Sequence, residues 1–209
     1  MKGNNPNIIF LITKRVFDII IGLLGLIFLI PVTIIVKIAY ILSGDFYTIF
    51  YTHKRIGKNG KEFRLIKFRT MVPKADKVLE DLLKDQEYKE QWDRSYKLSV
   101  DPRTTKVGRF LRKTALDELP QFINVLIGQM SLIGPRPLVK GELDAHNGNH
   151  KLYESVKPGI TGWWAANGCN SDDYDKRLEL EYYYCRNYGF KLDIKCIFKT
   201  IKQVLNIKH

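Results

Sequence analysis

From Ile19 to Val36 the chain reads IIIGLLGLIFLIPVTIIV, with neither a charge nor a strongly polar group. At about 1.5 Å rise per residue, a helix of that length covers roughly 27 Å, close to the hydrocarbon thickness of a bilayer. The pattern predicts a membrane-embedded helix. A signal peptide fits less well, because the apolar stretch is long and no small-residue cleavage site follows it. A buried core helix also fits less well, since such helices seldom run so far without a polar face. Lys14 and Arg15 precede the run, and Lys37, Lys54, Arg55 and Lys58 follow it. Positive charge on both sides is at odds with a single crossing. Pro31, inside the run, removes a helix hydrogen bond and favours a bend. A re-entrant helix, broken at Pro31 and returning to the face it entered, satisfies both observations; a simple span is the alternative.

Further along, the periodicity shortens. Residues 47–71, YTIFYTHKRIGKNGKEFRLIKFRTM, alternate enough for two short strands. The turn between them is Gly57-Lys58-Asn59-Gly60, where the glycines can supply positive φ. Residues 74–97 carry Val78, Leu79, Leu82, Leu83 and Trp92 among many charges, which predicts an amphipathic helix. A helix through Gln121–Ile127 should begin near Asp117–Pro120, where Pro120 fits a first turn, and end at Gly128. Residues 157–170, KPGITGWWAANGCN, read as a loop shaping a pocket, and residues 172–187 resume a helical pattern. From Phe190 to Leu205, the residues Phe190, Ile194, Ile197, Phe198, Ile201 and Leu205 recur at helical spacing beside a stripe of Lys191, Lys195, Lys199 and Lys202. That face suits the interface of an anionic membrane. A helix packed on the protein with solvated lysines fits the same spacing.

The expected fold class is therefore α+β and mainly helical, a small β-hairpin and helices around a membrane-embedded re-entrant helix broken at Pro31. The expected division is an anchor over residues 1–45 and a catalytic region over 46–209, acting as one functional unit. No internal repeat is visible.

Composition narrows the partners. The 209 residues are 45% hydrophobic, enough for a sizeable core and too many for wholesale disorder. Net charge is +12, and the first 70 residues hold 11 Lys/Arg against Asp18, Asp45 and Glu62. Such an excess calls for polyanions: nucleic acid, anionic lipid headgroups or phosphorylated substrates. Cys169, Cys185 and Cys196 are odd in number and form no CxxC pair, which argues against a disulfide framework or a zinc knuckle and fits a reducing compartment. The histidines, His53, His146, His150 and His209, are scattered and receive no role.

The densest chemistry lies in residues 101–139. Asp117 and Glu118 are adjacent in an otherwise basic neighbourhood of Arg103, Lys106, Arg109, Arg112, Lys113 and, later, Arg136. An acidic pair at a helix start commonly just complements the dipole. Here the basic residues are available to clamp phosphates, and a helix start offers N–H groups to an anion. Gly134-Pro135-Arg136-Pro137 then sets an arginine on a stiff turn, which suits bidentate phosphate binding. Two neighbouring carboxylates can divide the work, one attacking phosphorus and the other holding a divalent metal. Mg²⁺ is the expected ion, because it binds through one or two carboxylates plus substrate phosphates.

Three strings carry a resemblance: KFRTM (67–71), DPRTTKVGRFLRKTALDELPQFINVLIGQMSLIGPRPL (101–138) and PGITGWWAANG (158–168). With the preceding hydrophobic helix and the 177–184 region they cover nearly the whole chain in order. The chain resembles the bacterial sugar transferases, the monotopic phosphoglycosyl transferases that start assembly of surface polysaccharides and glycoproteins. The resemblance implies that Asp117 attacks the sugar-bearing phosphate of a UDP-sugar, releasing UMP and leaving a sugar phosphate on the aspartate. A polyprenol phosphate, undecaprenyl phosphate, then takes up that group. By the same resemblance Glu118 is the metal-associated carboxylate, and Lys67, Arg112 and Arg136 are basic positions of the phosphate-binding site. The family's anchor is a re-entrant helix broken at a proline, on the cytoplasmic face of the bacterial inner membrane. Capsule, O-antigen and exopolysaccharide synthesis are all open as destinations, and such an anchor leaves room for a homodimer.

The chain departs from the family's pattern in places. Ile30 precedes Pro31 where a serine is common, and Cys169 follows Asn167-Gly168 where an arginine is frequent. Ala115 stands before the LDE triplet where a small serine is usual, and an additional N-terminal membrane region of many relatives is lacking. Two rivals of other classes are a catalytically silent membrane scaffold in an assembly complex and a membrane-bound nucleic-acid protein. The second rests on seven basic residues between Lys54 and Arg69 and has no recognition helix or stacking motif, so no nucleic-acid partner is expected.

Overall fold

A computed structural model describes residues 7–95, 98–167 and 174–206. In chain order its elements are helix α1 (Ile8–Leu42), strands β1 (Phe50–Ile56) and β2 (Glu62–Phe68), and helices α2 (Ala75–Leu82), α3 (Gln86–Ser95), α4 (Lys106–Lys113) and α5 (Gln121–Leu126). Strand β3 (Ser131–Ile133), helix α6 (His150–Tyr153), strand β4 (Gly159–Thr161) and helices α7 (Trp163–Ala166), α8 (Tyr174–Asn187) and α9 (Phe190–Asn206) follow. The class is α+β and mainly helical, with a two-stranded β1–β2 hairpin and a second small sheet in which β3 and β4 run parallel. The helix of α1 continues through Pro31. Its most apolar 18-residue window has a mean hydropathy of 3.0, long and apolar enough to cross a membrane by length and composition.

Contacts divide the chain into two compact units. One comprises residues 1–27, 52–66 and 121–209; the other comprises residues 28–51 and 67–120.

The first unit is built around the small sheet. Ile133, Ala166, Tyr184, Leu192 and Cys196 form one core cluster, Phe63, Leu65, Val125 and Met130 another, and Leu138, Leu143, Tyr153 and Leu178 a third. Asn124 is fully buried and joins the hairpin to α5: its Oδ1 accepts from Ile66 N at 3.0 Å and its Nδ2 donates to Arg64 O at 2.8 Å. Where the sequence suggested only a pocket loop over 157–170, residues 159–161 pair with β3, matching Ser131 to Gly159 and Ile133 to Thr161. Glycine makes this crossing feasible: a Cβ on Gly159 would lie 2.1 Å from Gly134 N. The end of that stretch, including Cys169, lies outside the described residues.

One face of α1 is fastened to this unit at successive turns. Phe10 meets Phe190 edge-on at 4.9 Å, and Lys14 Nζ pairs with Asp193 at 2.6 Å. Asp18, buried, accepts from Ser131 Oγ at 3.0 Å and Leu132 N at 2.8 Å. Gly22 and Gly25 leave room for Leu126 and Phe122 of α5. The opposite face, including Ile12, Val16, Ile20 and Leu23, is exposed. Lys14 and Arg15, which the sequence places as charges flanking the apolar run, are thus engaged with protein groups.

α9 separates its faces in a way the spacing did not reveal. Leu192, Asp193 and Cys196 turn inward, while Phe190, Ile194, Phe198 and Ile201 of the predicted apolar stripe stay exposed.

Three local differences have clear causes. In the hairpin turn the positive φ values fall on Asn59 (58°) and Gly60 (72°), whereas Gly57 is extended at −108°. In place of one helix over 74–97, the described residues form two, because Asp85 Oδ1 accepts from Glu87 N at 2.8 Å and caps a new start. α5 stops at Leu126, with Gly128 left-handed at φ 83°, and Leu116–Glu118 forms a separate 3₁₀ turn before it.

Candidate functional site

The second unit holds the acidic pair. The string KFRTM (67–71) leads out of β2, and each of its residues has a distinct environment. Phe68 is buried and stacks on Phe50 with centroids 5.4 Å apart. Arg69 is also buried: its Nη1 and Nη2 donate to the two oxygens of Asp45 at 2.9 Å each, its Nε to Thr48 O at 2.7 Å, and its guanidinium lies 4.6 Å from the Tyr40 ring centroid. Tyr40 Oη donates to Arg69 O. An arginine that charge counting groups with phosphate ligands is therefore committed to structure. Thr70 accepts from Arg112 Nε at 2.9 Å, and Met71 bridges to Thr104.

α4 packs on this segment through Gly108. A Cβ there would lie 1.9 Å from Thr70 O, so no other residue allows the approach. Thr105 caps α4 by accepting from Gly108 N at 2.8 Å. Asp101 grips Arg103 through both oxygens at 2.8 Å, and Arg103 lies over Trp92 at 5.3 Å. At the far end of α4, Ala115 takes a left-handed conformation (φ 54°) and turns the chain into the 3₁₀ turn Leu116–Glu118. A small residue suits that position.

This route brings Lys67, Asp117 and Glu118 together. Lys67 Nζ lies 2.6 Å from Glu118 Oε1 and 4.0 Å from Asp117 Oδ2. The Asp117 side chain is only 13% exposed, against 37% for Glu118. Burial raises the Asp117 carboxyl above the ordinary aspartate value; Lys67 and Arg112 pull it down, and Glu118 pushes it up. One carboxylate is sheltered and the other open to solvent, with one ammonium between them. Among the described residues no cluster of three His, Cys, Asp or Glu side chains is suited to a metal ion. The acidic pair does offer the donors by which Mg²⁺ is held together with phosphate oxygens and water. The arrangement can place a carboxylate oxygen and cationic groups around a phosphoryl group.

Arg136 belongs to the first unit. Its side chain is exposed, but its backbone is clamped: Arg136 N donates to Glu181 Oε1 at 3.1 Å, and Tyr153 Oη donates to Arg136 O at 2.9 Å. Glu181 is buried, its Oε2 has no partner among the described residues, and burial pushes its pKa to about 7. Sequence reasoning did not single out Glu181, because a lone glutamate on a helix gives no sign of burial. His150, given no role, bridges Asp144 and Glu154 at 2.8 Å each.

The family described as "Bacterial sugar transferase" matches residues 9–207. An "Uncharacterized sugar transferase" of Haemophilus influenzae is 43% identical over 207 residues, covering 99% of this chain and 44% of that protein. An "Undecaprenyl-phosphate galactose phosphotransferase" of Salmonella typhimurium is 44% identical over 193 residues, covering 92% of this chain and 40% of that protein. The "Exopolysaccharide production protein ExoY" of Sinorhizobium fredii is 41% identical over 194 residues, covering 92% and 85% respectively. The chain thus spans less than half of the first two relatives and most of the third. With the match running from α1 to the end of α9, and with the acidic pair inside it, the chain belongs to the bacterial sugar transferase family.

Proposed function

We propose that this protein transfers a sugar-1-phosphate from a UDP-sugar to undecaprenyl phosphate through a covalent intermediate on Asp117. The observation that carries the reading is the sheltered Asp117 carboxylate beside Lys67 and Glu118. Relatives named for undecaprenyl-phosphate sugar transfer and exopolysaccharide production support it.

In the first step an Asp117 oxygen attacks the phosphorus that bears the sugar. The bond from that phosphorus to the bridging oxygen breaks, and UMP leaves with the electron pair. In the second step an oxygen of the lipid phosphate attacks the same phosphorus, and the aspartate departs as carboxylate. The product is a polyprenyl diphosphate sugar. Lys67 balances charge near the attacking carboxylate, and Arg112, anchored on Thr70 and Thr104, adds positive charge on the same side. Arg136, on its stiff turn, is assigned to a substrate phosphate. Glu118 would hold Mg²⁺, whose chemistry is to offset the phosphate charge.

The lipid acceptor accounts for the apolar outer face of α1. We place α1 as a re-entrant anchor bending at Pro31 in the cytoplasmic leaflet of the inner membrane, where a homodimer can form. The test is UMP release from a panel of UDP-sugars with Mg²⁺ and undecaprenyl phosphate, comparing wild type with Asp117→Asn. Release with one donor, lost in the variant, is expected. Silence with every donor, in lipid conditions that keep the chain folded, would favour a scaffold instead.

A further inference from the structure

Where α5 ends, positive charge gathers. Arg15 donates Nη1 to Val125 O and Nη2 to Leu126 O, both at 2.7 Å. The position a Cβ on Gly128 would occupy lies 3.4 Å from Arg15 Nη2 and 3.5 Å from Lys157 Nζ, so the two cations are neighbours. Lys157 is half-buried, and no described residue forms an ion pair with it. Burial holds its pKa below the usual lysine value; Arg15 and Lys58 add repulsion, and Asp18 opposes them.

Lys157 borders a cavity of about 370 Å³ between the hairpin turn and the α5–β3 connection, lined also by Lys58, Lys61, Gln129 and Ile127 among others. Glu62, the carboxylate on the lining, faces Lys54 at 3.8 Å and Lys140 at 3.9 Å. Gln129 accepts from Asn124 Nδ2 through Oε1, which leaves its NH₂ group as a donor. The lining thus carries three lysines, Lys58, Lys61 and Lys157, against the single carboxylate of Glu62. A half-buried ammonium beside a guanidinium costs free energy unless an anion joins them. Phosphate oxygens would convert that cost into charge-assisted hydrogen bonds.

We propose that this cavity is a second anion site that takes the phosphate group of a phosphate ester on Lys157, Lys58 and Lys61. All its residues lie in the first unit, apart in the chain from Lys67, Arg112, Asp117 and Glu118. Ile127, 61% exposed, offers apolar surface to the ester's substituent. The same chemistry is presented by a soluble phosphate and by an anionic lipid headgroup. Ile12, Val16 and Ile19, exposed on α1 on either side of Arg15, would bring the headgroup within reach once α1 is embedded.

The experiment follows the thermal midpoint of the full chain in neutral detergent at constant ionic strength, titrating inorganic phosphate in one arm and dioctanoyl phosphatidylglycerol in the other. A saturable rise is expected in wild type and in Lys84→Gln, whose lysine sits in the other unit. In Lys157→Gln the half-saturation concentration should rise about tenfold, the loss of one charge-assisted bond. The unliganded variant should melt no lower than wild type, because a repelled cation has been removed. Lys58→Gln combined with Lys61→Gln, at exposed positions that the fold tolerates, should weaken the same response. Saturation by phosphatidylglycerol alone identifies a headgroup site, and saturation by inorganic phosphate identifies a soluble ligand. No saturable rise in either arm, or equal half-saturation in wild type and these variants, overturns the proposal.

Discussion

At the scale of single residues, protonation makes the reading testable. Asp117 must be ionised to attack phosphorus, yet burial raises its pKa. UMP release should therefore climb with pH through that raised value. Lys67→Met removes the nearest charge holding it down, so the acid limb of the pH–rate profile should move to higher pH; Lys67→Arg should move it less. A limb unmoved by Lys67→Met would assign the lysine elsewhere. Asp117→Asn should lower UMP release by at least about a thousandfold, since an amide does not replace a nucleophile. The same raised pKa carries a stability consequence. A folded-state pKa above the unfolded value gives stability that is complete below the unfolded value and lost as pH rises through the folded one. Asp117→Asn should then melt higher than wild type near neutral pH, with the gap closing in acid. Glu181 follows the same sign at a more accessible pH, its value lying near 7 in the fold against 4.5 unfolded. Wild type should lose thermal stability as pH rises from about 4.5 to about 7 and level off above that, and Glu181→Gln should flatten the loss.

At the scale of elements, close approach decides what each helix can do. α4 reaches the strand segment that carries Lys67 only because residue 108 lacks a side chain. Gly108→Ala puts a methyl group into the Thr70 carbonyl, and the backbone has no rotamer with which to yield. The expected cost is about 1–3 kcal/mol or more, read by denaturant unfolding, with loss of UMP release under conditions where the variant remains folded. A variant as stable and active as wild type would mean that α4 and the Thr70 segment lie farther apart. α9 teaches the same lesson from composition. Phe190, Ile194, Phe198 and Ile201 of its apolar stripe are left outside and Ile197 packs partly on the core, while the inward face carries Asp193 and Cys196. Asp193 is inward because it meets Lys14 and Tyr184, and neither partner is foretold by spacing within α9.

At the scale of the molecule, the question is what a 35-residue apolar helix does. At about 1.5 Å per residue it extends roughly 52 Å, well beyond the hydrocarbon thickness. Its early turns are fastened to the first unit through Lys14, Arg15 and Asp18. A re-entrant placement predicts that cysteines introduced at Lys2 and Lys61 are both labelled from the cytoplasmic side of intact cells. Labelling from opposite sides would replace the hairpin with a simple span.

The sequence alone determined the long apolar helix, the hairpin, the helix before Gly128, the membership implied by three ordered strings, and the importance of Asp117 and Glu118. These are local signals, carried by side-chain periodicity and turn chemistry within a few residues. The tertiary structure decided which charges are free and which are consumed. Arg69, Lys14 and Arg15 count as cations in the chain, yet the fold commits them to Asp45, Asp193 and the end of α5. It also decided that Lys67 stands between the two carboxylates and that Glu181 is buried. Burial and long-range pairing depend on what packs against a residue from tens of positions away, and a one-dimensional pattern does not contain that information.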